Sequence, residues 1–120
     1  MTVPRDRIAA VGAGRMGRGM AIAFAYGGHD VVLIDAKARS DAEFVALETS
    51  AISELRATLT MLAGFGMLTT DEIDSVLARI TVVPLGDCAA PLAQSQVIFE
   101  GVPEVIDTKR DAFTLISAHA

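Results

Sequence analysis

The chain has 120 residues, of which 52% are hydrophobic and 21% are charged, and its formal net charge is −5. That length fits one domain with a real core. The negative charge and the absence of tryptophan argue against a nucleic-acid partner, and the charge argues against an anionic membrane surface. No apolar run reaches the length of a membrane span. The single cysteine, Cys88, rules out an internal disulfide. We expect Cys88 to be a small buried or loop residue, and its free thiol fits a cytoplasmic protein. No metal site is predicted.

The first elements predicted are a strand over 7–11, a glycine-rich turn, a helix over 15–27 and a second strand over 30–34. Gly12 can adopt backbone angles that are closed to other residues. A side chain at position 14 would fill the place of a bound phosphate, and Gly17 lets the helix lie close to the strand. The start of the helix offers unpaired N–H groups to an anion. This order of elements predicts a dinucleotide site, formed by Gly12, Ala13, Gly14, Arg15, Met16 and Gly17.

Asp35 ends the second strand, 23 residues after Gly12. A carboxylate at this position can accept hydrogen bonds from the hydroxyls of an adenosine ribose, and it repels a 2′-phosphate. Lys37 and Arg39 lie nearby and in principle favour NADP. We give Asp35 more weight and predict NAD. The alternative is that the glycines form only a tight turn and that Asp35 is a solvated strand end.

A long helical insertion is predicted after the second strand. Ser40 to Glu43 forms a capping-box pattern, and helical apolar spacing continues to about residue 63. Thr69 to Glu72 is a second capping pattern, before a third strand near 79–83. About 40 residues separate the two strands, whereas a minimal crossover needs about a dozen. The apolar stripes are interpreted as packing surface; alternatively, the helices also form a wall of a substrate site.

The remaining elements are a turn over 84–87, one or two helical turns over 88–94, a strand over 97–99 and a helix from about 104. Ile106, Phe113 and Ile116 are expected on one side of that helix. Alternating strands and helices predict an α/β fold, a Rossmann-type parallel sheet with helices on both faces. Four strands fall short of the full six-stranded sheet. We therefore interpret residues 1–120 as a partial, truncated dinucleotide-binding domain.

A resemblance to a known family rests on three features: the glycine turn with Asp35, the helical insertion, and the segment Phe99-Glu100-Gly101-Val102-Pro103-Glu104 followed by Lys109. Together, from about residue 7 to 118, they resemble the NAD-binding domain of 3-hydroxyacyl-CoA dehydrogenases. The resemblance implies that the turn binds the pyrophosphate and that Asp35 binds the adenosine ribose. It also implies that Glu104 and Lys109 lie at the cofactor. For Glu100, a cofactor contact and a loop-capping role both remain open.

The activity implied by the resemblance is NAD-dependent oxidation of an L-3-hydroxyacyl-CoA to the 3-ketoacyl-CoA, in fatty acid metabolism. The catalytic His–Glu pair of the family is expected beyond residue 120, so neither His29 nor His119 is predicted to be catalytic. The family's C-terminal helical domain, through which it usually dimerises, is expected to be absent from this chain. A homodimer is accordingly predicted for the full-length protein.

The chain departs from the family in one respect. Relatives often carry lysines in the helical insertion that meet the CoA phosphates, whereas Arg56 is the only basic residue between Ser40 and Asp74. The substrate is therefore either an acyl-CoA with contacts elsewhere or another 3-hydroxy acid, as in carnitine-type dehydrogenases of the same fold pattern. A non-catalytic NAD-binding module is the third hypothesis.

Overall fold

The structure, a computed structural model, describes residues 6–100 and 106–120, apart from the side chains of 106–109. Strands and helices alternate through most of this length. In chain order they are β1 (Arg7–Val11), α1 (Arg15–Tyr26), β2 (Asp30–Ile34), α2 (Asp41–Gly64), α3 (Thr70–Leu77), β3 (Ile80–Val83), a short 3₁₀ helix (Leu85–Asp87), α4 (Ala89–Gln94), β4 (Val97–Glu100) and α5 (Ile106–His119).

The four strands form one parallel sheet in the order β3-β2-β1-β4. The central strand β1 reads Ile8-Ala9-Ala10-Val11, and all four of these residues are buried. Such a continuous apolar run is typical of a parallel strand that is covered on both faces. The predicted Rossmann-type sheet with a long helical insertion is confirmed.

Two apolar cores lie on opposite faces of the sheet, because successive side chains of a strand point to opposite sides. The larger core takes Ile8, Ala10 and Leu33 from the sheet and packs them against α1, α2 and α3. The smaller core takes Ala9, Val11 and Ile34 and packs them against α4 and α5. Cys88 is buried in the smaller core, as predicted.

The insertion consists of α2 and α3, and both helices begin with the predicted capping box. The Ser40 hydroxyl accepts a hydrogen bond from the Glu43 N–H, and the Glu43 carboxylate accepts one from the Ser40 N–H. Thr69 and Glu72 repeat the arrangement at α3. Leu55 and Leu59 of α2 are fully buried in the larger core, and each burial contributes about 2 kcal/mol.

One packing prediction is wrong. Phe113 of α5 is exposed, whereas Ala112 is buried and Leu115 and Ile116 pack against the smaller core. Positions 112, 115 and 116 follow the helical spacing of three and four residues, so the inward face of α5 is rotated from the predicted one. The predicted start of this helix, near residue 104, lies outside the described residues. Within the described part of the chain, no helix is long and apolar enough to cross a membrane.

Candidate functional site

The carboxyl ends of the four strands lie level with one another. Val11 is paired with Ile34 on one side and with Glu100 on the other, and Ile34 is paired with Val83. The segments that follow β1, β2 and β3 therefore begin at the same edge of the sheet. In open parallel sheets this edge is where ligands bind.

Gly12 makes the reversal from β1 into α1. Its φ of +109° lies in a region that side chains disfavour, so glycine is required here. Its N–H donates to the carbonyl oxygen of Ile34 over 2.8 Å, which ties the turn to the end of β2. The role predicted for Gly12 in the turn is confirmed by this geometry.

Gly14 and Gly17 have opposite surroundings. A Cβ atom at Gly17 would lie 2.0 Å from the carbonyl oxygen of Gly12, so the close approach of helix and strand depends on this glycine. A Cβ atom at Gly14 would meet no atom of the described residues within 4 Å. The backbone at Gly14 therefore borders open space, as the sequence predicts for a residue that leaves room for a phosphate.

Within the part of the chain that the structure describes, the N–H groups in the first turn of α1 have no capping partner and face that space. Gly14 is the N-cap residue and supplies no side-chain hydrogen bond, and the first turn contains no acidic residue. By contrast, α2 and α3 each have a capping box and two acidic residues in the first turn. Arg15 and Met16, also predicted site residues, are exposed at the start of α1. An anion in front of Gly14 would meet both the N–H groups and the positive end of the helix dipole.

Arg18 holds the turn from the side, a role that the sequence analysis missed. Its Nε donates to the carbonyl oxygen of Ala13 over 2.9 Å, and its Nη1 forms an ion pair with Glu54 of α2. The Arg18 side chain is only 15% exposed. One residue thus links the turn to the helical insertion. An arginine one turn into the helix was the available signal, but its partner on α2 lies 36 residues away.

Asp35 lies directly after β2 and is buried, with 3% of its surface exposed. Its N–H donates to the carbonyl oxygen of Val83, which fixes it beside β3. Both carboxylate oxygens accept hydrogen bonds: Oδ1 from the N–H of Lys37 over 3.1 Å, and Oδ2 from Nε of Arg39 over 2.6 Å. The sequence placed Asp35 at this edge but did not predict its ion pair with Arg39. A solvated strand end, the alternative for Asp35, is wrong.

A groove of about 290 Å³ opens beside Asp35 at the same edge. Its walls come from the segments that follow β2 and β3 and from α5. It is lined by Ala36, Leu85, Asp111, Ala112 and Leu115. These residues span 80 positions of the chain, so spacing in the sequence gave no signal for the groove.

Neither histidine belongs to this edge. His29 precedes β2 at the amino end of the sheet, where its Nδ1 lies 3.1 Å from the carbonyl oxygen of Asp6 and its ring meets the edge of Phe24. His119 is the last residue of α5. Among the described residues, no three His, Cys, Asp or Glu side chains are grouped as metal ligands.

A family sequence pattern decides the assignment. The pattern described as "3-hydroxyacyl-CoA dehydrogenase, NAD binding domain" matches residues 7–120, nearly the whole chain. The chain belongs to this family. Its cofactor is NAD, and the open space at Gly14 with the uncapped start of α1 fits the pyrophosphate of that cofactor.

Individual relatives of this NAD-binding domain agree with the family. It is 29% identical over 117 residues to the 3-hydroxyadipyl-CoA dehydrogenase of Escherichia coli. Its fold is similar to that of the 3-hydroxybutyryl-CoA dehydrogenase of Escherichia coli, with a TM-score of 0.76 and 28% identity over 97% of the chain. The (S)-3-hydroxybutyryl-CoA dehydrogenase of Ralstonia eutropha gives a TM-score of 0.79 and 28% identity, also over 97% of the chain.

The domain spans only part of these relatives. It covers 22% of the length of each Escherichia coli protein and 38% of the Ralstonia eutropha protein. The relatives are dehydrogenases, and an NAD-binding domain of this family supports an oxidoreductase.

The second predicted part of the cofactor site follows β4. Glu100 ends β4 opposite Val11, so it lies next to the glycine turn. Glu104 lies outside the described residues. Lys109 lies in the first turns of α5, and its side chain is not among the parts that the structure describes. The cofactor roles of Glu104 and Lys109 stay predictions.

Proposed function

We propose that the protein oxidises an L-3-hydroxyacyl-CoA to the 3-ketoacyl-CoA with NAD, and that this chain binds the NAD. One observation carries the proposal: among the described residues, a Cβ atom at Gly14 would meet nothing within 4 Å, whereas one at Gly17 would strike Gly12. The turn is therefore closed on the side of the protein and open on the side where a ligand can approach. A turn with a purely structural role does not require a glycine at position 14, whose φ of −82° suits other residues.

The pyrophosphate is held by backbone groups in this proposal. The N–H groups of Arg15, Met16 and Gly17 belong to the first turn of α1 and lack partners within the helix. They donate to phosphate oxygens, and the helix dipole adds a favourable charge. Gly12 and Arg18 keep the turn in place through their bonds to Ile34 and Ala13.

The adenosine ribose is held by Asp35. An ionised carboxylate offers about four acceptor positions, and the N–H of Lys37 and Nε of Arg39 occupy two of them. The 2′- and 3′-hydroxyls donate to the remaining positions. Since the carboxylate is nearly covered, the ribose reaches it only when the Arg39 side chain shifts aside.

The groove beside Asp35 would hold the adenine base. Ala36, Leu85 and Leu115 supply apolar walls for a flat ring. The carboxylate of Asp111, at the rim, can accept a hydrogen bond from the exocyclic amine of adenine. This placement lies next to the ribose site at the carboxyl edge of the sheet.

NAD, when bound, accepts the hydride that leaves carbon 3 of the substrate. In that reaction the hydroxyl carbon would be oxidised to a ketone, and the hydroxyl proton would pass to a general base. The residues of this chain bind and orient the cofactor. Neither His29 nor His119 lies at the site edge, and we propose that the base belongs to the sequence beyond residue 120.

A CoA thioester substrate is supported by the names of the relatives, which act on 3-hydroxyadipyl-CoA and 3-hydroxybutyryl-CoA. One observation favours a smaller 3-hydroxy acid instead. Arg56, the only basic residue of α2, already donates to Asp74 of α3 over 3.0 Å. The insertion therefore offers a CoA phosphate only one cation on α2, and that cation is already paired with a carboxylate.

Two measurements test the proposal. The first is NADH oxidation, followed by absorbance, by the protein in its natural length with acetoacetyl-CoA or 3-dehydrocarnitine. Turnover of acetoacetyl-CoA supports the acyl-CoA reaction, turnover of 3-dehydrocarnitine alone supports the smaller substrate, and turnover of neither supports a non-catalytic module.

The second measurement is calorimetry with NAD for wild type and Asp35→Ala. We expect the variant to bind at least tenfold more weakly, because a charged acceptor for two hydroxyls is lost. Equal affinity would remove Asp35 from the ribose site. The homodimer, the cytoplasmic location and the place in fatty acid metabolism stay predictions from the sequence.

A further inference from the structure

The residue that favours NAD over NADP in this chain is paired with a cation. Asp35 Oδ2 and Arg39 Nε are 2.6 Å apart, the short distance of a charge-assisted hydrogen bond. The side chain of Asp35 is 4% exposed and that of Arg39 is 27% exposed, so solvent screens the pair only in part. The negative charge that would repel a 2′-phosphate is thus largely neutralised.

Arg39 also keeps donors available on its outer side. Its hydrogen bond to Asp35 uses Nε, and among the described residues neither Nη group has a hydrogen-bond partner, while 27% of the side chain is exposed. A planar guanidinium with two Nη groups is well suited to two oxygens of one phosphate. Arg39, which covers Asp35, can therefore also bind the 2′-phosphate that Asp35 alone would repel.

The segment between Asp35 and α2 carries cations only, whereas Asp41 and Glu43 follow in the first turn of α2. The exposed segment that follows Asp35 contributes two cations, Lys37 and Arg39, against the one carboxylate. Glu43 is close enough for both cations to lower its pKa, after the larger effect of its hydrogen bonds with Ser40. Its Oε1, however, accepts the N–H of Ser40 in the capping box. Glu43 therefore offsets the local positive charge but stays committed to α2.

We propose that Arg39 is a specificity-determining residue that admits the 2′-phosphate of NADP beside Asp35, so that the protein binds both nicotinamide dinucleotides. On NAD, Asp35 accepts the ribose hydroxyls. On NADP, the Nη groups of Arg39 bind the 2′-phosphate while Nε keeps Asp35 neutralised. This inference rests on the proposed NAD site and extends it to a second cofactor.

The test is titration of wild-type protein with NADH and with NADPH, followed by nicotinamide fluorescence. We expect the two dissociation constants to lie within about tenfold of each other, and the NADPH value to rise more steeply with salt. In Arg39→Met, which keeps the stem and removes the guanidinium, NADPH binding weakens at least tenfold. NADH binding stays the same or becomes tighter, because the ribose no longer has to displace Arg39 from Asp35.

Arg7→Met is the matched control. It removes a cation at the amino end of β1, on the opposite edge of the sheet, and leaves both affinities unchanged. If wild type binds NADH but binds NADPH more than about a hundredfold more weakly, the inference is overturned while the proposed function stands. Equal weakening of both nucleotides in Arg39→Met also overturns it, because Arg39 then only positions Asp35. Binding of neither nucleotide by wild type overturns the proposed function and the inference together.

Discussion

A Cβ atom on Gly17 would lie 2.0 Å from the carbonyl oxygen of Gly12. Backbone cannot yield at that distance as a flexible side chain would, so the contact fixes how closely α1 approaches β1. The two glycines therefore act as a pair. Gly12 turns the chain at φ +109°, and Gly17, which has no Cβ atom, leaves room for the carbonyl group of Gly12.

Gly17→Ala is expected to destabilise the protein by about 3 kcal/mol, because α1 must shift away from β1 to relieve the overlap. The measurement is the free energy of unfolding in urea. Gly19→Ala is the control on the same helix, where a Cβ atom meets nothing within 4 Å. It is expected to stabilise by about 0.5–1 kcal/mol, because alanine favours the helix interior. Equal stability of the two variants would contradict the close contact.

Gly14→Ala separates binding from folding. The new methyl group meets no atom of the described residues, so stability is expected to change by less than about 0.5 kcal/mol. NAD binding is expected to weaken at least tenfold, since the methyl group lies where the pyrophosphate approaches. Calorimetry with NAD and thermal unfolding of the same sample measure both effects. Unchanged affinity would place the phosphates elsewhere.

Arg18→Met tests the link between the turn and the insertion. It removes the hydrogen bond to the carbonyl oxygen of Ala13 and the ion pair with Glu54. We expect a loss of about 1 kcal/mol of stability and weaker NAD binding, because the turn is less well held. Glu54→Gln keeps the bond to Ala13 and should leave NAD affinity near wild type, since Glu54 is 64% exposed. Equal effects of both variants would assign the role to the ion pair instead.

The capping boxes predict a dependence of stability on pH. The backbone N–H of Ser40, and then its hydroxyl, lower the pKa of Glu43 below its usual 4.5; Thr69 does the same for Glu72. A carboxylate with a lowered pKa stabilises the folded state above its unfolded pKa, and this contribution is lost as pH falls through the folded pKa. Stability should therefore fall as pH drops below about 4.5, and fall less steeply in the variant with Glu43→Gln and Glu72→Gln.

The control for that measurement is Asp41→Asn, which removes an exposed carboxylate from the first turn of α2 outside the box. It should keep the wild-type slope between pH 5 and pH 3, a range set by ordinary carboxyl pKa values of about 4. If the stability of the double variant falls with pH as steeply as that of wild type, other carboxylates dominate the loss of stability in acid.

Local signals predicted much of the fold. The bounds predicted for β1 and β2 are those found, because each is an apolar run that ends at a glycine turn or at Asp35. Ser40 and Thr69 marked the helix starts, since a capping box is complete within four residues. Phe113 was placed on the wrong face because its inward neighbours depend on how α5 lies against the sheet.

The site was predicted in part for the same reason. Local geometry predicted the places of Gly12 and Gly17 in the turn and of Asp35 at the sheet edge, and the structure has them there. Their contacts with the cofactor stay predictions. The contact between Asp35 and Arg39 was not predicted, because the residues between them form no regular element and their spacing fixes no distance. Arg18 and its partner Glu54 were missed because they meet only after α2 has folded back onto α1.

The apolar character of β1 has a consequence for the register of the sheet. A shift of this strand by one residue would exchange Ile8 and Ala10 with Ala9 and Val11 between two apolar cores, so burial alone opposes it weakly. The shift would break the bond from Gly12 to Ile34 and move Gly12 away from its fit against Gly17. The glycine turn thus also fixes the register of β1 in the sheet. A substitution in the turn that shifted this register would disturb both apolar cores at once.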